Sequence, residues 1–504
     1  MTMKAFRVSM AGTASLLAAA ACAEVRLASP FADGMVLQRD RAVAVWGTAD
    51  AGEKVSVAFA GSVVETTADA QGAWRVSLPK MPASKASREL VVTGPSNSRK
   101  ISDVLVGEVW YCCGQSNTEM PLVGDNPHFF DRQGRLVAQM TRKPFVRFAY
   151  ASDYKFSGEP RATAPYPVVW KPFAPETLGR APSFSAMGVY FALELYSALD
   201  VPVGIVGSYW GGTNIDAWTP REAYAAHPEL AETAGWKFIP KEAWTEANRK
   251  GPINGPQQQP SVLWNEMVAP WCPMTMRGFI WYQGCHNEGE SGLYCAKMHA
   301  LYDGWSKKFE NPDLKLYFVQ LAPFSRSWWG LQLAQAKFAA EEKNAAMVTT
   351  VDIGNGSDIH PNEKGTLGKR LAALALRHDY GFSDLVADAP TLHGVCSEEG
   401  RLIMSFNDAK GWYAYAPDWS VDYGFEIAGP DGVWHKAYLV NANGGAQKTV
   451  PWQTRGVCEG RDLVLASDRV EKPMKVRYLH EKPWVGAIYA DSGLPLGPFE
   501  AEVK

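Results

Sequence analysis

Between residue 24 and about residue 99, apolar and polar residues alternate over short spans. Residues 42–46, 54–59 and 73–78 each follow the two-residue period of a half-buried strand. Turn signals at Ala51-Gly52-Glu53 and Asp69-Ala70-Gln71-Gly72 separate them, and that spacing predicts a small β-sandwich-like domain. From about Ile101 the pattern changes. Apolar runs at 104–111, 203–209, 278–283, 314–321 and 347–353 predict buried strands. Helical periods at 184–199, 332–343 and 363–377 lie among them; in the last, Leu367, Leu371 and Leu374 recur at helical spacing after Pro361. The alternation predicts an α/β domain with a parallel sheet in a three-layer α/β/α arrangement. After Gly381 short strand patterns return at 401–406, 424–427, 462–465 and 474–478. The expected division is therefore 1–23, 24–100, 101–380 and 381–504, with the α/β part flanked by β-rich modules.

The length of 504 residues agrees, being too great for one core. A formal net charge of −3 without a basic stripe argues against nucleic acid as a partner. Residues 1–23 carry Lys4 and Arg7, then a short Ala/Leu run, then Ala21-Cys22-Ala23 before Glu24. This is the layout of a cleavable export signal, and the run is too short to span a bilayer. A lipoprotein anchor on Cys22 is the weaker reading, because Ala19 stands where Leu is usual. The expected location is secreted or periplasmic. Export permits disulfides, and Cys396–Cys458 or Cys272 with Cys285 or Cys295 are conceivable pairs, but the spacing fixes neither.

The candidate chemistry sits at strand ends. The run beginning at Leu105 stops on Gly114-Gln115-Ser116-Asn117. A serine there stands where open α/β sheets bind ligands, and it becomes a nucleophile if a base and an oxyanion site reach it. Without the second glycine of G-x-S-x-G, it is not an α/β-hydrolase elbow. Among nine histidines, His360 in Asp358-Ile359-His360-Pro361 is the best base. Residues i and i+2 of an extended segment share a side, so Asp358 can orient the ring while the other nitrogen takes the Ser116 proton. The competing account is a helix-capping Asp beside a surface His. Gly211-Gly212-Thr213 and Gln283-Gly284-Cys285-His286-Asn287 end two further runs and offer backbone and amide donors for an oxyanion. Cys285, His286, Cys295 and His299 invite a zinc reading, with Cys295 and His299 one helical turn apart; no C-x-x-C accompanies them, and no metal is expected. His128 and His378 read as loop and helix-end residues.

Taken together, these segments resemble the sialate O-acetylesterase family, a branch of the SGNH hydrolases. The likeness is carried by Phe31-Ala-Asp-Gly-Met-Val-Leu-Gln-Arg39, Gly107-Glu-Val-Trp110, Gly114-Gln-Ser-Asn117, Phe184-Ser-Ala186, Gly211-Gly-Thr213, Trp281-Tyr-Gln-Gly284 and Asp358-Ile-His-Pro361. It extends from about residue 27 to Leu494-Pro-Leu-Gly-Pro-Phe499. The resemblance implies a flavodoxin-like catalytic domain and hydrolysis of acetyl esters on sugar hydroxyls through a serine acyl-enzyme. It implies Ser116 as nucleophile, His360 as base and Asp358 as its carboxylate. The oxyanion donors would be Ser116, Gly212 (or Gly211) and an amide from Gln283 or Asn287, with no cofactor. The implied partner is an O-acetylated sialic acid or another acetylated glycan.

One departure stands out: the family usually reads Gln-Gly-Glu-Ser-Asn where this chain has Gln283-Gly284-Cys285-His286-Asn287. Glu288, three positions on, is the nearest substitute. The change leaves open a weakly active or non-catalytic sugar-binding relative. Acetylated plant glycans (xylan, xyloglucan) are the alternative substrates. With a neutral His360 as base, activity is expected to fall on acidification with a midpoint near roughly pH 6–7. Replacing Asp358 by Asn should lower turnover, with Asp352 the next candidate.

Overall fold

The computed structural model describes residues 24–126, 129–151, 154–178, 184–326, 328–354, 356–414, 423–440, 454–455, 462–480 and 488–503. The expected export signal, His128 and Cys458 lie outside these residues. The molecule is built on one long strand, Ser98–Gly114, whose last eleven residues are all buried. The order across the sheet is Trp170–Phe173, Lys143–Tyr150, Val203–Tyr209, Ser98–Gly114, Gly278–Tyr282, Lys315–Val319 and Ala345–Val348. All neighbours pair in parallel except the first edge strand, which is antiparallel. Strands formed early in the chain lie on one side of Ser98–Gly114 and later ones on the other. The topology therefore reverses beside this strand, and such a reversal opens a crevice at the carboxyl ends. Tyr209 and Tyr282 both register with Gly114, so three strand ends meet at one level.

Parallel strands buried on both faces read as continuous apolar runs, which is why 203–209 and 278–283 were legible. The strand Lys143–Tyr150 was not anticipated; its first residues are Lys, Pro and Phe, and only its second half is buried. Helix Ala186–Leu199 packs on Lys364–Asp379, and Ser291–Lys308 packs on Trp329–Glu341. The helix Ser291–Lys308 was also missed, its apolar face being interrupted by Lys297, which is buried.

The N-terminal strands pair onto the same long strand: Val36–Gln38 in parallel and Ser84–Thr93 antiparallel. Ser98–Gly114 runs through the boundary expected at residue 100, and Val57 and Leu90 share one apolar core with Trp110 and Phe279. Behind the motif at 31–39, Arg39 donates to buried Glu108 at 2.5 Å, with Arg277 3.3 Å from the same carboxylate. The C-terminal strands, including Arg401–Asn407, Phe425–Ala428 and Lys475–Tyr478, close around a second core of Met404, Phe425, Ile427 and Val476. No described helix is long and apolar enough to cross a membrane.

Candidate active site

The long strand stops because of Gly114. At φ 140° this residue lies where L side chains rarely go, and a Cβ would sit 2.3 Å from the Tyr282 carbonyl oxygen. The chain then turns into the single helical turn Ser116–Glu119. Gln115 N–H donates to the Tyr282 carbonyl at 3.1 Å, and Thr118 Oγ1 donates to the Cys113 and Tyr282 carbonyls. Ser116 is thereby held at the crevice.

His360 arrives on the segment between strand Ala345–Val348 and helix Lys364–Asp379. Its Nε2 lies 2.8 Å from Ser116 Oγ across 244 positions of chain. The Phe129 ring stands edge-on to the imidazole at 5.1 Å. Asp358 is on the same segment, but its Oδ1 accepts the His360 backbone N–H at 2.8 Å and stays 4.0 Å from Nδ1. The carboxylate thus fixes the loop directly and acts on the ring through space. Asp352 forms a two-pronged pair with Arg370 at 2.8 and 2.6 Å. Burial holds the His360 pKa below the ordinary imidazole value; the Lys364 cation lowers it further and Asp358 opposes both.

Two residues that sequence reasoning passed over clamp the pair together. Asn117 Nδ2 donates to the Ile359 carbonyl at 2.9 Å, and Lys364 Nζ donates to Asn117 Oδ1 at 2.6 Å. Lys364 is wholly buried, with its ammonium over the Tyr282 ring and its backbone N–H on Asp131 Oδ2. Burial pulls its pKa down to about 7. The signal available in sequence was its place four residues after His360, read there only as part of a helix.

The paired glycines differ. Gly211 N–H donates to Glu119 Oε2 at 2.6 Å, and a Cβ there would lie 3.2 Å from that of Ser116. Glu119 Oε1 accepts from the Tyr154 hydroxyl at 2.6 Å, and burial raises the pKa of this carboxyl. Gly212 has φ +67° and open space where a Cβ would stand; no hydrogen bond from its N–H is found among the described residues.

Gln283 and Asn287 are fully buried, and their amides face inward. Gln283 Nε2 donates to the Thr213 carbonyl at 3.1 Å and to Asn287 Oδ1 at 2.7 Å. Asn287 Oδ1 also accepts from Ile215 N–H, and its Nδ2 donates to Glu290 Oε2. Lys297 Nζ closes the network between Glu290 at 2.7 Å and Asp216 at 2.8 Å. Burial alone lowers the Lys297 pKa, yet the two carboxylates raise it overall. Removing one member of such a buried pair costs about 3–5 kcal/mol. Both hydrogens of the Gln283 amide are thus bonded within the protein, and the pair ties the glycine turn to the neighbouring strand end.

The four residues of the zinc reading do not gather. Desolvation raises the thiol pKa of half-buried Cys285 to about 12 against an opposing hydrogen bond with Asn117, and His286 meets Pro252 O and Gln258. Cys295 and His299 lie together elsewhere, on helix Ser291–Lys308. Cys272, Cys285 and Cys295 are free thiols. Glu288 pairs with Arg326 at 2.8 Å. His378 bonds Asp388 at a helix end.

Residues 106–377 match the family described as carbohydrate esterase, sialic acid-specific acetylesterase. The human sialate O-acetylesterase is 28% identical over 404 residues, covering 72% of this chain and 73% of its own length. The rat enzyme of that name is 27% identical over 424 residues, covering 72% and 75%. The crystal structure of a carbohydrate acetylesterase from Xanthomonas citri superposes with a TM-score of 0.78 at 28% identity, over 95% of this chain and 100% of that one. With a profile match over more than half its length, this chain belongs to the sialic acid-specific acetylesterase family of carbohydrate esterases.

Proposed function

We propose that the protein removes acetyl groups from sugar hydroxyls through an acetyl-serine intermediate. The observation that carries this reading is the 2.8 Å approach of His360 Nε2 to Ser116 Oγ at the topological switch point. Ser116 Oγ attacks the acetyl carbonyl as its proton passes to His360 Nε2. The oxyanion accepts hydrogen bonds from the N–H groups of Ser116 and Gly212, the latter making no hydrogen bond among the described residues. Gly211, bound to Glu119, then sets the turn rather than serving as a donor. Collapse expels the sugar oxygen, which takes the proton back from His360. Water, deprotonated by His360, attacks the acetyl-serine, and acetate is released as Ser116 Oγ takes the proton back from His360. Asp358 supports the imidazolium electrostatically from 4.0 Å. Gln283 and Asn287, expected as oxyanion donors, act here by holding 213–215 in place.

The substrate reading is an O-acetylated sialic acid, supported by the names of the curated relatives. Flat surfaces suited to a sugar ring flank the serine, with Phe129 beside His360 and Tyr154 packed edge-on against Trp210 at 5.5 Å. The fold reading is a three-layer SGNH-type domain over 101–380, with β-rich parts at 24–100 and 381–504. Residues 1–23 are read as an export leader from their Lys/Arg, Ala/Leu and Ala-Cys-Ala order.

The test is acetate release from 9-O-acetylated sialic acid, acetylated xylan and acetylated xyloglucan, with p-nitrophenyl acetate as the reference ester. Ser116→Ala is expected to lower kcat by at least about 10³-fold. Equal rates for the two proteins would remove Ser116 from the mechanism, and preference for a plant glycan would replace the sialate assignment.

A further inference from the structure

Outside the Ser116 crevice, two of the helices meet along a seam that carries an unusual set of side chains. Cys295 and His299 are four residues apart on Ser291–Lys308, so they share one face of the helix. Opposite them is Glu341, in the last turn of Trp329–Glu341. Cys295 Sγ lies 3.4 Å from Glu341 Oε2, and His299 Nε2 lies 3.1 Å from the same oxygen. All three donor atoms fall within 4.8 Å of one another.

We propose that Cys295, His299 and Glu341 form a binding site for a divalent transition-metal ion of the zinc type, clipping one helix to the other. The donor set of one thiolate, one imidazole and one carboxylate suits a borderline-soft cation and is a poor match for calcium or magnesium. Zinc bonds of about 2.0–2.3 Å at tetrahedral angles place ligand atoms about 3.3–3.6 Å apart. The two observed spacings of 3.1 and 3.4 Å lie within a few tenths of that range. Small side-chain movements would let an ion enter between groups that now share hydrogen bonds.

The charge count also favours a divalent ion. Coordination displaces the Cys295 thiol proton to solvent, and the resulting thiolate with the Glu341 carboxylate balances the two positive charges. Glu341 Oε1 faces Lys337 at 3.7 Å, which leaves Oε2 for the ion. His299 binds through Nε2 in its neutral form, and its ring is held edge-on to Phe338 at 4.8 Å. The cluster is partly exposed, so water supplies the fourth ligand. No residue of this site belongs to the proposed catalytic set.

The experiment is titration of the intact protein with cobalt(II), which reports thiolate ligation by a near-ultraviolet charge-transfer band, followed by competition with zinc. Saturation at one equivalent is expected, with the band displaced by zinc, absent in Cys295→Ser and His299→Ala, and retained in Cys285→Ser. Zinc should raise the Tm of the wild type and not that of Glu341→Gln, a near-isosteric change that keeps the site testable if Cys295→Ser folds poorly. Basal esterase activity should be the same in Glu341→Gln as in the wild type. No charge-transfer band in the wild type, or an equal band in Cys295→Ser, would overturn the proposal.

Discussion

In the proposed mechanism His360 has two tasks that pull its environment in opposite directions. It must stay neutral to accept a proton, and it must tolerate the positive charge it then acquires. Burial and the Lys364 cation serve the first need by lowering its pKa, and Asp358 serves the second. A base whose pKa is lowered remains neutral to lower pH, so activity should persist on acidification past the ordinary imidazole midpoint of about 6.5. The acid limb of kcat/KM measures this; a limb at or above that value would contradict the electrostatics. A carboxylate buried and bonded to the ring nitrogen is worth about 10⁴-fold in turnover. Asp358 is half-exposed and 4.0 Å from Nδ1, so Asp358→Asn should cost less, about 10–100-fold in kcat. Asp352 is held by Arg370, and its replacement should move Tm rather than the pH profile. An unchanged rate in Asp358→Asn would exclude the electrostatic role.

Between elements, the decisive link is the one from the serine turn to the histidine loop. Lys364 opens a helix, Asn117 sits in the single turn after the long strand, and Ile359 precedes His360. The chain Lys364–Asn117–Ile359 therefore sets how closely Ser116 and His360 approach. Lys364→Met should lower kcat more than it changes KM. It should also move the acid limb upward, because a cation that depresses the His360 pKa is gone; a limb that stays in place would assign Lys364 a structural role only. Stability carries a second signature. A buried lysine with pKa near 7, against about 10.4 in the unfolded chain, leaves the unfolded state with more bound protons between those values. Wild-type stability should thus rise with pH across that window, and denaturant titrations of Lys364→Met should show a flatter curve.

At the scale of the whole molecule, the N-terminal strands and the parallel sheet have a strand and a core in common, while the C-terminal strands enclose a core of their own. Contacts across the second junction include Trp329 Nε1 donating to the Tyr478 carbonyl at 3.1 Å. A cavity of about 530 Å³ opens there, bordered by Ala345, Met347, Thr391, Leu392 and Phe499. Cooperativity follows shared burial. Calorimetry should therefore resolve two transitions, with hydrogen exchange in Val36–Gln38 and Gly278–Tyr282 following one and exchange in Lys475–Tyr478 following the other. One transition with uniform protection would show that the junction couples them fully.

Periodicity and local chemistry alone determined the buried strands at 203–209 and 278–283 and singled out Ser116 and His360 as candidates. Each of these depends on residues close in sequence or on residue types too rare to offer many choices. What the chain order could not supply was distance. Only the folded arrangement separated Gly211 from Gly212, turned Gln283 and Asn287 inward, and brought Lys364 against Asn117. It also dispersed the cysteine–histidine quartet, leaving Cys295 and His299 to meet Glu341. Those outcomes hinge on where a few hydrogen-bond donors point, and such directions are fixed by packing between segments that the linear pattern leaves independent.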